Sequence, residues 1–275
     1  MLRVTSARLE AAFDAERGMF GASLRCDGQD LLAPEGMPLM APWANRLGSR
    51  RYECAGLAVD LDGIALHTDV NGLPIHGTMR AQPWEVTHYD ADSLHARFDF
   101  GARPEALESF PFPHELRIEI DVREATLTHT TTLTPTTDRA VPVAFGFHPY
   151  FRVARDAVSL RLPARERFEL DARLLPTGPR TPQPAEDELV GTRAFDDCYE
   201  LMDDRVLALT EAGRRLTVAL ERGYSYLQVY APPAADFVCL EPMTAPINAL
   251  VDGTCALVAP GGQYSAQFTV GVEDL

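Results

Sequence analysis

The sequence predicts an all-β fold of packed antiparallel sheets. Residues 116–134 carry the clearest signal: Leu-Arg-Ile-Glu-Ile-Asp-Val-Arg, a short break, then Leu-Thr-His-Thr-Thr-Thr-Leu. Apolar and polar residues alternate with period two and many are β-branched, as in half-buried strands. The same alternation returns at 94–100, 206–209, 216–220, 224–230 and 264–272. Helical periodicity is weak, and 21 prolines and 19 glycines are spread along the chain rather than gathered in one linker. Many short strands with few helices bury their apolar faces by stacking sheets.

The elements follow in chain order. Residues 6–16 could begin a helix, but Gly18 and Gly21 favour strands joined by a turn. Glu124-Ala125 turns the chain between the two strands of 116–134. Residues 141–151 read as one strand. Val141, Val143, Phe145 and Phe147 then point into a core, and Ala144, Gly146 and His148 point the other way. Residues 174–188, rich in Pro, Thr and acidic side chains, read as a surface loop. Phe237-Val238-Cys239-Leu240 reads as a strand ending at Glu241, and Gly261-Gly262 turns the chain into the last strand. No internal repeat is visible.

Composition bounds the function. The chain has 275 residues, 46% hydrophobic and 24% charged, which supports a substantial core. A net charge of −15 disfavours nucleic acid and anionic membranes as partners and is neutral toward an uncharged substrate. Five cysteines, none in a CxxC pair, read as buried reduced thiols. Residues 1–20 carry Arg, Glu and Asp without the apolar stretch of a signal peptide, and no apolar run approaches a membrane span. The expectation is a soluble cytoplasmic protein, monomer or homodimer.

Three blocks set one ionisable side chain each among Gly, Pro and apolar residues: Gly72-Leu73-Pro74-Ile75-His76-Gly77, Gly146-Phe147-His148-Pro149-Tyr150-Phe151 and Leu240-Glu241-Pro242-Met243-Thr244. Imidazoles and carboxylates are the groups of proton transfer. Pro149 holds His148 extended, and the small residues on its face leave space beside the ring. His76 sits in a loop on a rigid scaffold, where site residues are common. Glu241, at the end of an apolar strand, is partly desolvated, which raises its pKa toward a useful range. Each residue also has a plainer reading, as a strand-end histidine, an exposed loop histidine or a solvated glutamate. Asp196 and Asp197 follow Phe195 in a turn-like segment, and Arg46 follows Trp43-Ala44-Asn45. Trp43, Tyr150 and Phe151 are candidate sugar platforms. There is no HExxH or CxxC metal motif, GxSxG elbow or GxxxxGK[ST] loop, so no metal site is predicted from short spacing, which leaves open a metal assembled from ligands distant in sequence.

Together the blocks resemble the aldose 1-epimerase (mutarotase) family. The matching pieces, in the family's order, are Pro42-Trp43-Ala44-Asn45-Arg46-Leu47, Asn71 to Gly77, Gly146 to Phe151, Phe195-Asp196-Asp197-Cys198-Tyr199, Leu240-Glu241-Pro242 and Leu257 to Gly262. The resemblance implies a single large β-sandwich domain over 1–275, with a sugar pocket on a concave sheet face. It implies Glu241 as general base, His148 as general acid and His76 as a group that binds and polarises the sugar. Arg46, Asn45 and Asp196 would hold the substrate, with Asp197 able to exchange places with Asp196. A monosaccharide would be the substrate, and no cofactor would be required. Thr78 departs from the pattern, since many members carry a second glycine there.

Two alternatives differ in substrate or class. Arg46, Arg50, Arg51 and Arg80 lie around the first two blocks and could clamp the anion of a phosphorylated or sulfonated hexose. A sugar-binding protein without catalysis would keep Arg46, Asp196 and the aromatics and could lose the acid or the base.

Overall fold

The computed structural model describes residues 1–211 and 213–275. Two large antiparallel sheets dominate. The nine-stranded sheet runs, in spatial order, Glu186–Leu189, Ser159–Leu162, Val206–Glu211, Arg214–Arg222, Tyr264–Asp274, Thr126–Pro135, His114–Arg123, Ser93–Asp99 and Glu85–Tyr89. The eight-stranded sheet runs Pro176–Gln183, Arg165–Leu170, Phe195–Leu201, Tyr226–Ala231, Phe237–Met243, Gly146–Phe147 and Leu39–Met40, with Tyr150–Arg152 also paired to Phe237–Met243. A four-stranded sheet is built from Leu2–Thr5, Leu9–Asp14, Phe20–Cys26 and Gln29–Asp30. The only helices among the described residues are short, as the weak helical periodicity predicts.

Alternation decides what each sheet buries. Along His114–Arg123, Leu116, Ile118, Ile120 and Val122 are buried while the residues between them reach toward solvent. The partner strand Thr126–Pro135 sets Leu127, His129, Thr131 and Leu133 on the same buried face. From the other sheet, Phe147 packs on His129 and Phe268, and Phe145 meets Tyr224 and Tyr264. The two sheets therefore stack face to face, and one hydrophobic cluster extends from Val4 to Val272. Burying such aromatic side chains stabilises the fold by about 1.5–3 kcal/mol each.

Three expectations change. Residues 141–151 form three short strands, not one: Val141–Val143 pairs with Ala256–Val258, Gly146–Phe147 with strands of the eight-stranded sheet, and Tyr150–Arg152 with Phe237–Met243. The chain changes partners, and Pro149 has no N–H to extend a ladder. Residues 174–188 contain two strands rather than a loop, Pro176–Gln183 and Glu186–Leu189. Both lie at sheet edges, where the missing N–H groups of Pro176, Pro179 and Pro182 disrupt no central ladder. Asp196 and Asp197 lie within strand Phe195–Leu201, not in a turn.

All five cysteines are buried and free, with Cys54 and Cys255 Sγ atoms 3.8 Å apart. No helix among the described residues is long and apolar enough to cross a membrane.

Candidate active site

The outer face of the eight-stranded sheet, turned away from the core, carries the site. Register aligns its side chains in rows. Asp196 lies opposite Tyr230, Tyr230 opposite Cys239, and Cys239 opposite Tyr150. In the next row Cys198 lies opposite Gln228, and Gln228 opposite Glu241. Residues opposite one another share a face, so one side of the sheet gathers these groups while Leu227, Val229, Val238 and Leu240 turn into the core. Parity also separates the two aspartates: Asp197 pairs with Val229 and points the other way, and Asp196 alone lines the cavity.

That cavity measures about 360 Å³. His76, His148 and Glu241 all line it, as do Asn45, Arg46 and Asp196, so the structure brings the six predicted residues to one place. Trp43 and Phe151 are buried in the core instead. Of the predicted aromatic platforms only Tyr150 reaches the cavity, where Tyr230 joins it.

Glu241 stands inside strand Phe237–Met243 rather than at its end, and its side chain is 1% exposed. Burial, reinforced by the negative charge of Asp196, pushes its pKa well above the usual carboxylate range, against the pull of Arg46. His148 lies between two short strands, with its backbone N–H donated to the Pro38 carbonyl at 3.0 Å. Its Nε2 is 3.4 Å from Glu241 Oε1 and also 3.4 Å from the Tyr150 hydroxyl, and its ring stacks on Tyr150 at 4.3 Å. Burial pushes the His148 pKa down to about 3, with the charge of Arg80 adding to the effect. The space expected beside His148 is not at Gly146: a Cβ there would sit 2.6 Å from the Pro242 carbonyl oxygen. Gly146 permits close backbone approach, and the open volume beside His148 is lined instead by Glu241, Arg46 and Asp196.

His76 is aimed by backbone geometry. Its φ is +63°, and Gly77 follows at +66°. A Cβ on Gly77 would meet the Ala41 carbonyl oxygen at 2.0 Å, so only glycine fits. The His76 N–H is donated to the Asn45 carbonyl, strapping this loop to the segment that carries Arg46. The His76 ring meets His148 edge-on at 5.2 Å. Burial, then the neighbouring His148 and the cations Arg46 and Arg80, hold it neutral, well below the usual imidazole pKa. Thr78 adopts φ −124°, open to any residue, so the loop needs no second glycine.

Asp69 was not foreseen. Its Oδ2 accepts from Arg46 Nε at 2.7 Å, and its Oδ1 accepts from the N–H groups of Asn71 and Leu73, both at 2.9 Å. One buried carboxylate thus ties the guanidinium to the loop leading to His76. The Asp69-Val70-Asn71-Gly72 spacing of an Asx turn was the available signal. Asn45 Oδ1 accepts from the Arg46 backbone N–H and guanidinium at 2.9 and 3.1 Å. Asp196 accepts from Gln228 Nε2 at 2.7 Å and lies 3.5 Å from Arg46. Burial raises the Asp196 pKa, opposed by Arg46 and Gln228. Gln228 carried no signal in the sequence, because its place depends on register with Glu241.

Chemically, the cavity combines a carboxyl and an imidazole within proton-transfer reach with a polar wall for hydroxyl groups. Comparison with known proteins agrees in fold. A galactose mutarotase-like protein from Clostridium acetobutylicum superposes with a TM-score of 0.88 at 18% identity, covering 99% of this chain and 95% of that one. An aldose epimerase homologue from C. elegans gives 0.81 at 15%, covering 100% and 98%. Galactose 1-epimerase from Lactobacillus acidophilus NCFM gives 0.76 at 14%, covering 98% and 92%. At these identities the likeness establishes the galactose mutarotase-like β-sandwich and no more. The sequence adds what the superpositions do not: residues 26–271 match the aldose 1-epimerase family model, so the chain belongs to the aldose 1-epimerase family.

Proposed function

We propose that this protein interconverts the α and β anomers of an aldohexose by acid–base opening and closure of the ring. One observation carries the reading: His148 Nε2 and Glu241 Oε1 lie 3.4 Å apart on a cavity that Arg46 and Asp196 also line. Its volume, about 360 Å³, falls at the low end of small-molecule clefts, which suits a monosaccharide.

Ring opening needs one proton removed from the anomeric hydroxyl and one delivered to the ring oxygen. Glu241 as carboxylate takes the first and His148 as imidazolium gives the second. The C1–O1 bond becomes a carbonyl as the C1–O5 bond breaks. The aldehyde turns about C1–C2 and closes on its other face with the roles reversed. At the open-chain stage Glu241 is a neutral acid and His148 a neutral imidazole. Burial favours that same neutral pair. Because the pair is neutral at rest as well, the carboxylate–imidazolium form that opens the ring is reached by passing the proton from Glu241 to His148. At rest the pair holds one proton and no net charge. Neutral His76 offers a hydrogen bond to the sugar near the reacting centre, and Arg46 and Asp196 hold hydroxyl groups.

Three of the four arginines favour a neutral sugar over a phosphorylated or sulfonated one, while Arg80 lines a small cavity with His76 and His148. Arg46 is paired with Asp69 and Asp196, Arg50 donates to the Leu61 and Ile64 carbonyls, and Arg51 is paired with Asp60 and Asp62. Of the four, only Arg80 lacks an ion-pair or hydrogen-bond partner among the described residues, and it is exposed.

Polarimetry of freshly dissolved α-glucose and α-galactose tests the proposal. The protein should speed the optical change, and Glu241→Gln should reduce that acceleration by about 10²–10⁴-fold. Sugar binding by the wild type without acceleration would instead support a binding protein. Faster anomerisation of glucose 6-phosphate than of glucose would favour the charged substrate.

A further inference from the structure

Cys239 takes no part in the proton transfers, yet it is built into the same place. It precedes Glu241 by two residues on strand Phe237–Met243, on the same face, and lies opposite Tyr150. Its Sγ, an imidazole nitrogen of His148 and a carboxylate oxygen of Glu241 all lie within 4.8 Å of one another, and all three residues are buried. A tetrahedron around zinc, with bonds of about 2.0–2.3 Å, has edges of roughly 3.3–3.8 Å. The His148–Glu241 pair already stands at 3.4 Å. Glu241 Oε2 is buried without a hydrogen-bond partner, so one carboxylate oxygen is uncommitted. Thiolate, imidazole and carboxylate form a borderline donor set, suited to Zn²⁺ or Co²⁺ and unsuited to the hard, oxygen-seeking Mg²⁺. His148 and Glu241 both line the cavity, so a cation held between them has a side that faces it.

We propose that Cys239, His148 and Glu241 form an inhibitory site for Zn²⁺-like cations. The metal occupies the lone pairs that proton transfer uses and fills the floor on which the sugar sits. Coordination displaces the thiol proton and the proton shared by the pair, and both pass to solvent. The inhibitory consequence rests on the acid–base reading above; the binding does not.

The test uses the full chain, freed of metal by chelation. Cobalt(II) titration should bring up a thiolate-to-cobalt band in the near ultraviolet, which Zn²⁺ bleaches and Mg²⁺ does not. Cys239→Ser should lose that band while keeping its anomerisation rate in chelator. The Zn²⁺ concentration for half inhibition should rise by about tenfold or more in this variant. Cys239→Ala serves the same comparison should the serine variant fold poorly. Absence of the band in wild type overturns the site. So does its persistence without Cys239, which would place the metal at another thiol such as the Cys54–Cys255 pair. Unchanged Zn²⁺ inhibition in the variant overturns the inhibitory role. A wild type that shows the band but no anomerisation would retain the site and fail the acid–base reading.

Discussion

At the scale of residues, the dyad sets the pH behaviour. The working pair carries one proton. Activity should fall as pH drops toward about 3, where His148 gains a second proton, and again as pH rises through the raised value of Glu241. A profile of kcat/KM against pH checks this; an acid limb near the ordinary imidazole value would contradict the burial of His148. The same burial strains the fold. A carboxyl whose folded pKa is raised contributes its stability below the unfolded value and loses it as pH rises toward the folded one. Glu241→Gln should therefore shift the urea midpoint upward relative to wild type, by more at pH 8 than at pH 5, while activity disappears. Equal midpoints at both pH values would contradict this. His148, His76 and Glu241 were legible in the sequence because each stands alone among residues that restrict the backbone. The choice between Asp196 and Asp197 was not, since it rests on which strand neighbour each one meets.

At the scale of elements, the loop from Asp69 to Gly77 works as a strap holding His76 and Arg46 in fixed relation. Gly77→Ala should destabilise it, because the added carbon meets the Ala41 carbonyl at 2.0 Å and φ is +66°. The expected loss is about 1–3 kcal/mol, seen as a lower urea midpoint. Asp69→Asn keeps the shape but removes the charge paired with Arg46. It should raise KM severalfold with a smaller change in kcat, as Arg46 loses its orientation. A drop in kcat alone would reassign Asp69 to the chemistry. Period-two alternation exposed the central strands, where one face meets the core and the other does not. It failed at Pro176–Gln183, because prolines read as loop wherever a ladder is assumed on both sides. It also failed at residues 141–151, where the hydrophobic pattern continues while the hydrogen-bonding partner changes.

At the scale of the whole molecule, the two large sheets share a core that contains buried histidines. Burial holds His129 at about 3, and His114 at about 4 against the help of the Phe112 carbonyl. A depressed folded pKa contributes its full stability above the unfolded value of about 6.5 and loses it as pH falls toward the folded one. Each such group costs about 1.4 kcal/mol per pH unit across that window. His129, with neither ring nitrogen hydrogen-bonded and Phe147 and Phe268 on its ring, is the simplest to isolate. His129→Leu should flatten the fall of the urea midpoint between pH 6.5 and 4; an unchanged slope would remove His129 from the account. The all-β class and stacked sheets were readable from alternation, while the histidine on the inner face of Thr126–Pro135 becomes explicable only once Phe147 is seen above it. The outermost strand with its three prolines also bears on how copies of the molecule meet. A border lacking those amide hydrogens is a poor template for a strand from another chain, so crowding should not zip molecules together there. Strand-to-strand association would have to use another border, such as the exposed Glu85–Tyr89 at the end of the nine-stranded sheet.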